Sequence, residues 1–243
     1  DHWLVPMLAG EPFLEHPPLF LWIAAVFARL FAFALPLHDG ARLATGAFLA
    51  LAFAFTAAAG RELNGRNRGW VACLVLLGCI GLVVRGHQLI PDTASFAGIA
   101  IGCYGLALMP RRPWPGGVWL GTGAGIAFLA KGVLVPGVLT VSALLLMLGC
   151  RAWRTRAVAA GCAAAVVAAA PWVLIWPFAL YRTSETLFWQ WWAEAFACLL
   201  GNTSSRPYGE VVHYLSILPW YAWPALPLAL WVLWGTRVSR FGR

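Results

Sequence analysis

Charge is scarce in this sequence. Asp, Glu, Lys and Arg make up 11% of its 243 residues, against about 25% in soluble domains, and lysine occurs once, at Lys131. Hydrophobic residues account for 61% and the mean hydropathy is +0.76, which excludes an ordinary water-soluble globular domain. Paired metal-type cysteines are also lacking. Cys73, Cys79, Cys103, Cys150, Cys162 and Cys198 are scattered, with no CxxC spacing, so they read as packing residues rather than ligands. There is no initiating Met and no secretory signal pattern, and the chain is expected to be an internal piece of a longer protein. Acidic residues number nine against 17 basic ones, a net charge of +8. In so apolar a chain that excess is read by position, and no nucleic-acid partner is expected.

What is present is a series of apolar stretches long enough to cross a bilayer: about 41–59, 69–85, 93–109, 116–130, 132–149, 157–181 and 213–234. Arginine then marks every second linker: Arg61, Arg66 and Arg68; Arg111 and Arg112; Arg151, Arg154 and Arg156; Arg237, Arg240 and Arg243, the last group in a loop beyond the seventh span. The positive-inside rule makes that side cytoplasmic. Eight of the nine acids, all but Glu62, and all five histidines fall on the other side. An eighth apolar segment, 18–36, would break this parity and would put Arg29 at bilayer depth, so it is expected to lie at the outer interface as a juxtamembrane helix. The stretch 182–212, with Trp189, Trp191 and Trp192 at an amphipathic interface, is expected to hold one interfacial helix. The organisation is thus an outer loop and juxtamembrane helix (1–40), a six-helix bundle (41–181), an outer loop (182–212) and a last span with its cytoplasmic end (213–243).

The Gly-rich GTGAG at 121–125 lacks a following Lys-Ser/Thr, which argues against a phosphate loop. Gly117, Gly121 and Gly125 recur every four residues, the pattern of a helix-packing face. The chemistry-bearing residues cluster at outer helix ends instead: Glu15-His16, Arg85, Asp92, Lys131, Arg206 and His213. Cations of this kind suit a phosphate, while carboxylate and imidazole suit a divalent cation or a proton transfer. Lys131, with no other charge nearby in sequence, is the sharpest candidate. Asp92 follows Pro91 and reads equally as a helix cap or a functional carboxylate. Glu11, Glu185 and Glu194 read as solvated loop residues, and His38 and Asp39 as turn residues before a helix starting near Gly40.

Several segments together resemble one family. DHWLVPMLAGEPFLEHPPLFLW at 1–22, Ala41-Arg42-Leu43, Gly60-Arg61-Glu62-Leu63, Arg85 with Pro91-Asp92, Phe128-Leu129-Ala130-Lys131-Gly132 and Pro219-Trp220-Tyr221 occur in the order found in the polyprenyl-phosphate-sugar-dependent membrane glycosyltransferases of family 39. That family includes protein O-mannosyltransferases and the lipid A aminoarabinose transferase.

The resemblance implies an all-α, C-type glycosyltransferase membrane module with about seven spans and an outer juxtamembrane helix. It also implies inverting transfer of a sugar from a polyprenyl-phosphate carrier to a lipid, glycan or protein acceptor, at the extracytoplasmic face of a bacterial inner membrane. It places Glu15 and His213 as ligands of a divalent metal ion. Lys131, His16, Arg85 and Arg206 fall on the donor side, and Asp92 at the edge of the catalytic cavity. His16 stands where the family commonly has lysine, and the family's general-base aspartate falls upstream of Asp1. The rival expectation from the residues is a transporter or flippase for a lipid-linked or anionic substrate, whose polar groups would lie at mid-membrane depth.

Overall fold

Glycine decides how this chain packs. A computed structural model describes residues 3–8, 10–199 and 215–241. Helix α5 (Asp92–Leu108), α6 (Pro113–Lys131) and α8 (Arg156–Thr183) form a stack with α6 in the middle. On one face of α6, a Cβ at Gly117 or Gly121 would run into the backbone carbonyl of Gly161 or Ala165, and one at Gly125 would lie 2.5 Å from the Trp172 side chain. On the other face, Gly116 approaches the Met109 backbone and Gly123 the Gly102 backbone, while Gly98 of α5 faces Ala127. The four-residue glycine spacing is therefore a packing face, as the sequence indicates. A second glycine row, which the sequence alone does not single out, serves α5. Such close backbone approach is the usual device for associating helices in lipid, where apolar side chains gain nothing by leaving the solvent.

Around this stack lie α1 (Leu19–Leu30), α2 (Leu37–Asn64), α3 (Gly69–Leu77), α4 (Ile80–Arg85), α7 (Leu134–Gly149), α9 (Glu185–Leu199), α10 (Leu215–Tyr221) and α11 (Ala225–Phe241). α2 packs on α5 and runs antiparallel to the α3–α4 pair. Gly69 abuts Ala57 O, the Cys73 thiol reaches Phe53 O at 3.3 Å, and Thr45 Oγ1 donates to Gln88 O at 3.3 Å. At the arginine-rich end, Arg111 Nη1 donates to Glu62 O at 2.8 Å. There too the Arg154 guanidinium covers the last carbonyls of α7, those of Met147 and Leu148, the groups a helix leaves unpaired. Thr155 caps α8, accepting from Val158 N at 3.2 Å.

The chain is an all-helical membrane module, its only strands among the described residues being the two-residue pair β1 (Met7–Leu8) and β2 (Glu11–Pro12). Several details differ from the sequence expectation. By length and composition, α2 and α8, of 28 residues each, can cross a membrane, and α10 with α11 makes a third crossing if the bent pair is one span. Among the described residues these are fewer than the seven apolar stretches. The stretch 69–85 is two helices interrupted at Gly78–Cys79, and the last span bends by 93° between α10 and α11, where Pro224 has no amide hydrogen to continue the helix. α2 begins at Leu37, so His38 and Asp39 lie within its first turn, where a carboxylate suits the positive end of the helix dipole. α11 continues to Phe241, which puts Arg237 and Arg240 in helix rather than loop.

α1 has 12 residues, about 18 Å at 1.5 Å per residue, too short for a hydrocarbon core of about 30 Å. It buries Phe20, Ala24 and Ala28 against α2, and the guanidinium of the exposed Arg29 lies 5.2 Å above the Trp3 ring in a cation–π contact. α9 is the one helix expected within 182–212, but Trp191 is not an interface residue. It is 3% exposed and packs edge-on to Trp176 and Phe128, while Trp189 and Trp192 stay exposed.

Candidate functional site

The site forms where the N-terminus of α5 meets the C-terminus of α6. Asp92 is the first residue of α5 and Lys131 the last of α6, and Lys131 Nζ donates to Asp92 Oδ1 at 2.7 Å. Each charge complements the dipole of its own helix end. Gly132, at φ +80°, terminates α6 directly after the lysine, its N–H bonding Phe128 O at 2.7 Å. A residue with a Cβ adopts that conformation at a cost, so glycine here fixes where the helix ends and where the lysine points. Pro91, not Asp92, occupies the cap position and no side chain caps α5, so the Asp92 carboxylate is committed to Lys131 rather than to backbone amides.

Two cavities of about 500 Å³ each adjoin at this pair. The first is walled mainly by apolar side chains of α2–α5 and α10, among them Leu49, Leu82, Phe96 and Leu218, with Arg85, Asp92 and Lys131 as its charged members. The second is bordered by Leu14–Pro17, by Lys131–Val135 and by Trp191, Glu194 and Ala195 of α9. Lys131 and Val135 belong to both.

The loop carrying Glu15 and His16 is held by its neighbours. Leu14, Pro17 and Pro18 are buried, Trp22 Nε1 donates to Trp3 O at 2.5 Å, and Trp176 Nε1 of α8 donates to Leu4 O at 3.0 Å. Beneath it, Leu14, Leu19, Phe128, Trp176, Leu180 and Trp191 make a continuous apolar floor. Glu15 itself is exposed toward the second cavity. His16 sets its ring edge-on to Phe13, and its Nδ1 is buried without a hydrogen-bond partner.

Five of the sequence candidates, Glu15, His16, Arg85, Asp92 and Lys131, thus line one or other of these adjoining cavities. Arg206 and His213 lie outside the described residues. The sequence reading missed Glu194, which borders the second cavity with Glu15. The signal was present in its position on α9 one turn after the buried Trp191, which turns that face toward the site. A metal ion does not find a complete ligand set here: among the described residues no group of three His, Cys, Asp or Glu side chains converges on one point.

The charged residues of these helices also share a pattern. The only one in α5 and the only one in α6 are Asp92 and Lys131, and α8 carries charge only at Arg156 and Arg182, near its two ends. The charges of these three helices thus lie at or near helix ends, not at the middle of the stack.

Comparison with known proteins agrees with the resemblance in the sequence. The dolichyl-phosphate-mannose-protein mannosyltransferase family matches residues 15–176. The undecaprenyl phosphate-alpha-4-amino-4-deoxy-L-arabinose arabinosyl transferase of Pseudomonas aeruginosa (strain UCBPP-PA14) is 29% identical over 97% of this chain. The chain spans 44% of the length of that relative. No solved structure matches. With most of the chain matched, including every described residue of the paired helix ends, the chain belongs to the dolichyl-phosphate-mannose-protein mannosyltransferase family.

Proposed function

We propose that the protein transfers a sugar from a polyprenyl-phosphate-linked donor to a lipid, glycan or protein acceptor at the extracytoplasmic face of the membrane, in bacteria the inner membrane. The observation that carries this reading is the position of Lys131. It is the chain's one lysine, and it stands on the wall between a cavity lined mainly by apolar side chains and a cavity bordered by Glu15, His16 and Glu194. A lipid-linked sugar has the same succession of parts: an apolar chain, an anionic phosphate and a polar head. The chain fits the first cavity, the phosphate Lys131 with Arg85, and the sugar the second.

In the transfer, the acceptor oxygen forms a bond to the anomeric carbon as the bond from that carbon to the phosphate oxygen breaks. The electron pair leaves on the phosphate, and the acceptor proton passes to a base. Lys131 and Arg85 stabilise the charge gathering on the leaving phosphate. Phosphate competing for Lys131 Nζ also releases the Asp92 carboxylate, which faces the same cavity and can then orient or accept the proton. A divalent cation, were one bound, would take Glu15 as a ligand, with His213 as a further one, and would supply neutralising charge for the leaving group. The step above draws on the chain's own cations. Bilayer lipid is the remaining partner.

The test is transfer by the protein reconstituted in lipid vesicles, supplied with radiolabelled undecaprenyl-phosphate sugars. Wild type is expected to release labelled sugar to acceptor, and Lys131→Ala and Glu15→Gln to lose transfer at unchanged expression. Absence of transfer from every such donor, with solute flux abolished by the same substitutions, would overturn the reading in favour of a transporter.

A further inference from the structure

Two helix interruptions meet face to face. Helices α3 and α4 part at Gly78–Cys79, and α10 and α11 part at Ala222–Pro224. At the first break, Ile80 begins a new helix, and its amide finds an acceptor outside its own chain segment: Ile80 N donates to Trp223 O, the carbonyl of the second break, at 3.3 Å. In lipid an unpaired backbone group is costly, and irregular backbone is tolerated only where protein or a polar cavity satisfies it.

The contact is close on both sides of that bond. A Cβ at Gly78 would meet the Pro224 ring at 3.2 Å, and one at Gly81 would meet the Tyr221 ring at 2.8 Å and the Tyr221 carbonyl at 3.1 Å. Cys79, Gly81, Leu82, Arg85, Leu218 and Tyr221, all from these two broken helices, line the apolar cavity beside Lys131. The α4 segment that starts at the break ends, within two turns, at Arg85.

We propose that the crossing of the two breaks sets the width of the apolar cavity, with Gly81 and Tyr221 as positioning residues that fit the cavity to the isoprenoid chain of the lipid-linked substrate. The identity of that chain rests on the sugar-transfer reading; the contact and its control of the cavity do not. Glycine at 81 lets α4 lie against the Tyr221 ring, so a larger residue there pushes the two walls apart. Shortening Tyr221 to alanine removes the ring, the nearest obstacle, and leaves the carbonyl at 3.1 Å and the Cβ at 3.3 Å.

The experiment has two readouts on the reconstituted protein, with Gly81→Val, Tyr221→Ala and the double variant. The first is the alkylation rate of native Cys79 by a membrane-permeant maleimide, localised by peptide mass spectrometry. Gly81→Val is expected to change that rate several-fold, and the double variant to bring it back toward the wild-type value. The second is transfer kinetics with an undecaprenyl-phosphate donor and with a two-isoprene analogue. Gly81→Val is expected to raise KM for the long donor about tenfold with kcat nearly unchanged, to leave the short donor unaffected, and to be rescued in the double variant. Equal loss with both donors, or a double variant no better than Gly81→Val, would overturn the positioning role. If Cys79 responds as expected while no polyprenyl-phosphate donor is used at all, the proposed function fails and the break-to-break contact stands. If transfer is normal and Cys79 is indifferent to all three variants, the contact fails and the function stands.

Discussion

The two walls flanking Lys131 are built by opposite means. On one side α5, α6 and α8 are continuous helices locked by glycine rows so tight that backbone meets backbone. On the other, α3–α4 and α10–α11 are both broken, and they touch through the Ile80 N–Trp223 O hydrogen bond, Gly78 against the Pro224 ring and Gly81 against Tyr221. The first wall fixes the separation of Asp92 and Lys131, because each residue terminates a helix in the locked stack. The second can adjust without disturbing that pair. A site for an amphipathic substrate benefits from this division, since the charged centre needs a fixed geometry whereas an apolar chain needs only volume.

The sharpest way to break the contrast is to add a side chain inside the locked wall. Gly121→Val directs a branched side chain into the Ala165 carbonyl, and overpacking of this kind costs at least about 1–3 kcal/mol. The expected outcome is loss of the folded protein, read as a collapsed yield of monodisperse material and a lowered Tm in detergent. The same substitution at Gly46, where a Cβ meets nothing within 4 Å, should leave both nearly unchanged. Lys131→Ala should spare the fold and lower kcat/KM for sugar transfer by about 10²- to 10³-fold, the usual effect of deleting one preorganised group from a charge-stabilising site. A stability change as large as that of Gly121→Val would show instead that Lys131 is structural.

Trp176→Phe keeps the aromatic floor but deletes the donor to Leu4 O. A buried hydrogen bond of this type is worth about 1 kcal/mol, and the readout is faster proteolysis within residues 3–18. Asp92→Asn has the smallest expected effect on stability, below about 1 kcal/mol, because the ion pair is partly solvated, with side chains 31% and 50% exposed. A thermal melt checks it. A larger loss would mean that the pair, rather than the glycine rows, holds α5 to α6.

Much of the locked wall was legible in the sequence. Gly117, Gly121 and Gly125 advertise a helix face by spacing alone, and Lys131 stands out because nothing near it in sequence is charged. The outer helix ends were legible as a group because charge has nowhere else to go in so apolar a chain. The pairing of Lys131 with Asp92 was not, since the two are 39 residues apart and no local pattern encodes a tertiary contact.

The broken wall was hidden for a different reason. Hydropathy across 69–85 is uniformly high, and a sliding average sums over Gly78–Cys79 as though the helix were continuous, although the backbone there turns to satisfy its amide elsewhere. Trp191 was misread because three tryptophans in four residues look alike by composition. Only packing against Trp176 and Phe128 separates the buried one from its exposed neighbours.

The bond from Trp176 to Leu4 spans 172 residues, and that span orders events during synthesis. The loop bearing Glu15 leaves the ribosome early, yet the indole that fastens it is made only when α8 is nearly complete. Until then the loop is held by Trp22 and Arg29 against Trp3 and by Leu14 in the apolar floor. The polar cavity is therefore completed after the helices beneath it, and a nascent chain stopped before α8 carries its Glu15 on a loop that lacks the bond at Leu4 O.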